Sequence, residues 1–220
     1  MTAENIPVSI ELICRKLGMT QIFDDEGQCI PVTVLEAAPN VVVQKKTQET
    51  DGYTALQLGF GDRRPDLFTK PQRGHFEKAN VAPRRHLAES RITPDEAEQY
   101  EVGQEIGCSV FEAGQTVDVI GVSKGRGTSG VVKRHGFAVK RRTHGTHEFF
   151  RHGGAIGAGA WPGKVIKGLK MAGRYGNERV THRNAKIVKV DPEQNLLFVH
   201  GGVPGHRNAV VRVRAAVAPR

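Results

Sequence analysis

Cysteine is nearly absent from this chain: Cys14, Cys29 and Cys108 are far apart and odd in number. No Cys-x-x-Cys pair occurs, so a zinc ribbon or a redox dithiol lacks its ligands. A disulfide scaffold does not fit a chain of 220 residues with so few thiols. The three cysteines are expected to be small buried apolar side chains in a reducing compartment. Long hydrophobic runs are missing as well. No stretch of about 20 apolar residues exists to span a membrane. Residues 1–10 carry no basic start followed by an apolar run, so no secretory signal is expected and the chain reads as cytosolic. Aromatics are few, at 6%, while glycines number 26. Part of this chain is therefore not packed like an ordinary domain, although a hydrophobic content of 38% still suffices for a real core.

What the chain does have is positive charge, +9 in total, with a pI of about 9.7. Such a balance is the footprint of a nucleic-acid binder, because Lys and Arg displace counterions from phosphates. On charge alone, an anionic membrane surface or a soluble protein that is merely basic would fit as well. The distribution is more telling. Between Ser123 and Arg183 stand 14 basic residues against 2 acidic ones, a net of +12. The remainder holds 18 basic and 21 acidic residues, a net of −3. The same stretch carries 13 of the 26 glycines and shows no sustained apolar period. Alone it cannot bury enough surface to pay for order, and it is expected to be extended or disordered until RNA orders it. Glycine lets backbone approach a partner closely, and the cations supply the attraction.

The flanks read as β structure. Ile30–Leu35, Val41–Gln44 and Thr54–Leu58 are strands separated by Pro39-Asn40 and Asp51-Gly52 turn signals. Thr116–Ile120 is another, running straight into Gly121. Beyond the basic stretch, Lys186–Val190 and Leu196–Val199 form a hairpin around Asp191-Pro192-Glu193. In Val210–Val213, Val211 and Val213 alternate with Arg212 and Arg214. Short strands at this spacing suggest a small barrel. The C-terminal strands are too few to stand alone and should complete the N-terminal sheet. The fold expected is mainly β: a small closed barrel with a long basic internal loop and a minor helical insertion. Its parts would be an N-terminal extension (1–10), a body (11–123 and 184–220) and a glycine-rich loop (124–183). Residues 62–100 read as an irregular, partly helical insertion. Within it, Thr93-Pro94-Asp95-Glu96 has helix-start chemistry, a capping Thr with Pro first and Glu three residues after the cap.

Gly125-Arg126-Gly127-Thr128-Ser129-Gly130 spells G-x-G-x-x-G after a strand, which invites a dinucleotide-binding reading. The motif needs a helix next. Val131-Val132-Lys133-Arg134-His135-Gly136 is β-branched, basic and cut by glycine, a poor helix former. His144, His147 and His152 hint at a metal, yet only Glu148 stands near as a carboxylate. No Ser-His-Asp or thiol–base constellation follows from the spacing. Phe149, Phe150, Trp161 and Tyr175 are the aromatics of the basic stretch. They either stack on unpaired bases or anchor the loop locally.

Taken together, these residues identify a family. Arg15-Lys16-Leu17-Gly18-Met19-Thr20-Gln21-Ile22-Phe23, then Pro31-Val32-Thr33-Val34, and Gly74-His75-Phe76 with Lys78-Ala79, resemble bacterial large-subunit ribosomal protein three. So do Val117-Asp118-Val119, Ser123 to Gly127, Gly130, Lys133 to Phe137, His144-Gly145, Pro162-Gly163-Lys164, Lys167 to Gly173, Gly176 and Arg179-Val180-Thr181. Asn195-Leu196-Leu197 and Gly202-Val203-Pro204-Gly205 complete the match, which covers about residues 12 to 217. The resemblance implies a six-stranded barrel related to those of translation factors. It also implies a long loop running through large-subunit rRNA toward the peptidyl-transferase centre. It implies a primary rRNA binder that helps start subunit assembly and touches neighbouring ribosomal proteins. Cys14 stands where the family usually has Gly. Ala160 stands where some bacterial members carry a methylated Gln, so that modification is expected to be absent.

The expected function is thus a ribosome-bound, non-enzymatic rRNA scaffold with no cofactor, no metal, no membrane contact and no small-molecule substrate. Lys124, Arg126, Lys133, Arg134, Arg141, Arg142, Arg151, Lys164, Lys167, Lys170 and Arg174 would meet phosphates. His135, His144 and Trp161 would lie against bases or sugars. The competing classes are an enzyme using the glycine loop or the histidines, and a DNA-binding architectural protein.

Overall fold

The computed structural model describes residues 10–24 and 26–218. Its strands, in chain order, are β1 (Leu12–Phe23), β2 (Cys29–Glu36), β3 (Asn40–Lys46), β4 (Ala55–Asp62), β5 (Arg84–Arg91), β6 (Glu105–Ile106), β7 (Thr116–Val122), β8 (Thr128–Ser129), β9 (Gly173–Arg174), β10 (Arg179–Asp191), β11 (Leu196–His200) and β12 (Val210–Ala215). Four short helices accompany them: α1 (Gln48–Asp51), α2 (Lys70–Lys78), α3 (Pro94–Glu98) and α4 (Val131–His135). The chain is mainly β, and no helix among the described residues is long and apolar enough to cross a membrane. Two compact units result. One holds the described residues up to Val122 and from Arg179 onward, and the other is Ser123–Glu178.

In the first unit, β1, β12, β7, β10, β11 and β2 pair in that order, all antiparallel, and β2 pairs back onto β1. The N- and C-terminal segments thus build one sheet, in which β12 lies between β1 and β7 and none of the six strands has a free edge. Alternation decides which side chains face in. Val211, Val213 and Ala215 are buried in β12, while Val210, Arg212 and Arg214 between them are half-exposed. A second sheet of order β5-β4-β3-β6 shares the core, so Leu12, Leu35, Val117, Ile187 and Leu197 join one cluster with Val42, Leu56, Leu58 and Ile106. Fully burying one such side chain stabilises the fold by about 1.5–3 kcal/mol.

Besides the two-residue strands β6, β8 and β9, the long strands β1 and β5 carry no strand signal in the sequence. β1 does not alternate: Leu12, Ile13 and Cys14 are all buried. A register shift between Lys16 and Gly18 then lets the strand serve β12 with its first residues and β2 with the rest. β5 lies inside the stretch expected to be irregular and partly helical. Its sequence, Arg-Arg-His-Leu-Ala-Glu-Ser-Arg, has no apolar period to reveal it, yet it pairs with β4 from Asp62↔Arg84 to Ala55↔Arg91. The helix start at Thr93 is present, with the Glu96 N–H donating to Thr93 Oγ1 at 3.4 Å and the Thr93 N–H donating to Glu96 Oε2 at 3.1 Å. Residues 1–9 of the expected extension lie outside the described residues. Ile10, counted with them, is buried in the core. The basic excursion ends at Glu178, earlier than expected, because 179–183 already belong to β10.

Among the few buried polar residues, Asn40 is fully paired with backbone. Asn40, fully buried at the start of β3, accepts the Ile13 N–H on Oδ1 at 3.0 Å. Its Nδ2 donates to the Ile13 and Ala38 carbonyls, both at 3.1 Å. Asn40→Ala would leave these backbone groups buried without partners, at about 1–3 kcal/mol each. Equilibrium urea unfolding should show a stability loss of about 3 kcal/mol or more, with an unchanged slope against denaturant. The cysteines divide. Cys14 and Cys108 are buried, and burial pushes both thiols above their usual range, whereas Cys29 is exposed, contrary to expectation. A thiol-specific colorimetric reagent should therefore titrate one group in the native protein and all three in denaturant.

Candidate nucleic-acid interface

The second unit begins where β7 and β10 stop pairing, at Val122↔Arg179. Ser123 N–H donates to the Glu178 carbonyl at 2.9 Å, and Glu178 N–H donates to Ser123 Oγ at 3.3 Å. Arg126 N–H then donates to Tyr175 O at 2.8 Å, and Tyr175 N–H to Gly127 O at 3.0 Å. β8 and β9 follow with Thr128↔Arg174 and Ser129↔Gly173. Residues 123–129 and 173–178 therefore form a two-stranded stem. The Arg126 guanidinium lies over the Tyr175 ring, 4.9 Å from its centroid, holding two facing residues of the stem together.

Gly176 is needed for this geometry. It has φ +72°, and a Cβ there would lie 2.2 Å from the Lys124 carbonyl oxygen. The G-x-G-x-x-G thus forms one strand of the stem. The backbone N–H of Arg126 and the carbonyl of Gly127 are engaged across it and are not arrayed around a pyrophosphate. A helix does follow, where the sequence promised none, but α4 is only five residues long and ends at Gly136 in the left-handed conformation. Val131 and Ser129 are the only buried residues of Ser123–Glu178 among those described.

Beyond the stem, α4 is tied to the returning strand. Arg134 Nη1 donates to the Met171 carbonyl at 2.8 Å, and His135 Nε2 donates to the same oxygen at 3.0 Å. Arg142 lies 5.4 Å over the Phe150 ring, and Lys140 N–H donates to Phe150 O at 3.1 Å, which makes Phe150 a local anchor. Phe149 is more than half exposed and meets His152 edge-on at 5.0 Å. Trp161 is 86% exposed, with no ring partner among the described residues. No group of three or more His, Cys, Asp or Glu residues able to hold a metal occurs among the described residues.

Of the residues singled out from the sequence, Lys124, Arg126, Lys133, Arg141, Arg142, His144, Arg151, Trp161, Lys164, Lys167, Lys170 and Arg174 are exposed. Arg134 and His135 are half-buried, each spending one N–H on Met171. This shared anchor and the Arg126–Tyr175 stack leave no signal in the sequence, because both pair residues about 36–49 positions apart that no local period links.

The electrostatics of the two units contrast. In the first, Arg15 pairs with Glu36 at 2.6 Å, Arg212 and Arg214 share Glu11 at 3.1 and 3.2 Å, and Lys46 meets Glu89 at 3.0 Å. In Ser123–Glu178, no basic side chain is paired with a carboxylate among the described residues. Its only acidic residues, Glu148 and Glu178, face 12 basic ones. One buried valine contributes about 1.5–3 kcal/mol. Fixing the backbone of each residue costs about 1–2 kcal/mol. Such a segment gains little from its own packing and presents its cations and its apolar side chains outward.

The family model described as ribosomal protein L3 matches residues 91–196. The chain is 53% identical over 201 residues to the large ribosomal subunit protein uL3 of Cutibacterium acnes, covering 91% of this chain and 89% of that one. It is 50% identical to uL3 of Corynebacterium jeikeium over 94% of each chain. It is 51% identical to uL3 of Nocardia farcinica, over 94% of this chain and 92% of that one. The chain belongs to the ribosomal protein L3 family. The family is one of structural proteins, not enzymes. The matched segment of the family model contains the whole stem and basic excursion of this chain.

The stem is open to a direct test. Gly176→Ala should break the pairing of Arg126 with Tyr175. Hydrogen exchange read by mass spectrometry should show lost protection at the amides of Arg126 and Tyr175. Protection in β7, β10 and β12 should be unchanged.

Proposed function

We propose that this protein is a structural constituent of the large ribosomal subunit that binds large-subunit rRNA through Ser123–Glu178. In this reading, Lys124, Arg126, Lys133, Arg141, Arg142, Arg151, Lys164, Lys167, Lys170 and Arg174 neutralise phosphates, with the remaining N–H groups of Arg134. His135, His144 and Trp161 lie against bases or sugars. The six-stranded sheet acts as a barrel of the translation-factor type whose role is to hold this arm. The arm runs through rRNA toward the peptidyl-transferase centre, and binding early in assembly helps to nucleate the subunit. Its partners are rRNA and neighbouring ribosomal proteins, and its location is the cytoplasmic ribosome.

The observation that carries the reading is the set of cations without carboxylates on a segment with almost no core of its own. A basic surface that served only solubility would have its charges mixed with acidic ones, as the first unit does. RNA supplies both missing elements, counter-charge and a surface to order against.

Binding of the whole chain to a large-subunit rRNA fragment should weaken steeply with salt. If about five cations contact phosphates, the slope of log affinity against log salt should be roughly −4 to −5. An affinity independent of salt would overturn the assignment. The core of the first unit contains no residue of Ser123–Glu178. Joining Ser123 to Glu178 through an Asn-Gly turn should therefore leave a folded body, checked by circular dichroism, with RNA affinity reduced at least about tenfold.

A further inference from the structure

The strand that the sequence concealed, β5, is the outer member of its sheet, paired with β4 on one side only. Among the described residues, no backbone group of Arg84–Arg91 bonds to any backbone other than that of β4. Alternate N–H and C=O groups therefore point outward along a free edge. Leu87, at the middle of β5, is 42% exposed. It forms the common wall of two cavities, one of about 340 Å³ and one of about 250 Å³. Together they make a groove along the edge of β5. The smaller cavity reaches the outer surface of the six-stranded sheet at Ile120, Val122 and Val210.

Charge specifies what this groove fits. The unit around it is acidic on balance, yet no carboxylate side chain lines either cavity. The larger holds Arg63, Arg84, Arg85 and His75, and the smaller holds His86, Arg179 and Arg212. Arg84 and Arg212 already have acidic partners in Asp62 and Glu11, whereas Arg63, Arg85 and Arg179 have none among the described residues. The His86 imidazole is held below its ordinary pKa by burial and by Arg85, in keeping with cationic surroundings. An Arg-rich edge repels a second copy of itself, which is one way proteins keep such edges from aggregating. The same edge matches an acidic strand.

We propose that the edge of β5 is a docking site for an extended polypeptide segment of another protein, one with carboxylates flanking a small apolar side chain. The segment would add a strand beside β5, place its apolar residue over Leu87, and direct its carboxylates at Arg63 and Arg85 on one side and Arg179 on the other. A single-stranded RNA is the less suitable occupant. Phe68 and Phe76, the only aromatic carbocycles in the groove, are buried and face-protected, with Arg63 over Phe68, so no ring is free to stack a base. None of the residues named for this site lies in Ser123–Glu178, and the proposal does not depend on the function assigned to that segment.

The test uses the whole chain and two probes: a nine-residue peptide of alternating Asp and Val, and a nine-nucleotide oligouridylate. Hydrogen exchange is followed at the amides of Arg84–Arg91. The peptide should protect these amides, and Leu87→Glu, at an exposed position that leaves the fold intact, should weaken its binding about tenfold or more. Arg85→Glu should do likewise, while a Lys–Val peptide should give no protection. Protection of β5 by the oligonucleotide and not by the acidic peptide would overturn the proposal in favour of RNA. Absence of protection by the acidic peptide at millimolar concentration would overturn the docking site itself.

Discussion

The organisation of this protein depends on the antiparallel pairing of β7 with β10. These two strands are consecutive members of the six-stranded sheet, yet between them the chain makes an excursion from Ser123 to Glu178. Pairing at Val122↔Arg179 brings the two ends of the excursion together. The loop-closure cost is thereby met by the body and not by the basic segment, which has almost no buried surface with which to meet it. Sheet pairing persists into the stem through Ser123, Glu178, Arg126 and Tyr175, and only then does the chain give up regular structure.

Charge is partitioned along the same line. In the first unit, cations are neutralised in place: Glu11 alone serves Arg212 and Arg214. Asp118, a nearly buried carboxylate, accepts the Asn184 N–H where β10 bulges and approaches Arg214 at 3.6 Å. In Ser123–Glu178 the cations are left unmatched, which is tolerable only because they are exposed to water or to a polyanion. A body that pairs many of its cations with carboxylates carries a segment that pairs none among the described residues. The edge of β5 shows the same logic on a smaller scale, with unmatched arginines beside unpaired backbone.

Much of this was legible in the sequence, for identifiable reasons. Val211 and Val213 alternating with Arg212 and Arg214 declare a strand with one buried face. Thr93-Pro94-Asp95-Glu96 declares a helix start. The basic stretch announces itself by composition alone. β1 was not legible as a strand because Leu12, Ile13 and Cys14 are buried together, which removes the period-two signal. β5 was not legible because an edge strand with polar faces has no hydrophobic period at all. The exposed thiol of Cys29 was misread because residue type predicts burial only on average, and this cysteine begins its strand beside Gln21.

The sequence by itself determined where the excess positive charge lies on the chain. Net charge, glycine content and apolar poverty are sums over local residues and need no fold to be evaluated. Only the tertiary structure decided which groups remain free to act. Arg134 and His135 look equivalent to Lys133 in sequence, yet they converge on the Met171 carbonyl. Gly125-Arg126-Gly127 looks like a phosphate cradle, yet its backbone is engaged by Tyr175. Leu87 looks like one more apolar residue, yet it is left between two cavities at the edge of a sheet. In each case the deciding interaction joins residues far apart in the chain, and hydrogen bonds and packing at such separations exist only once the strands have paired.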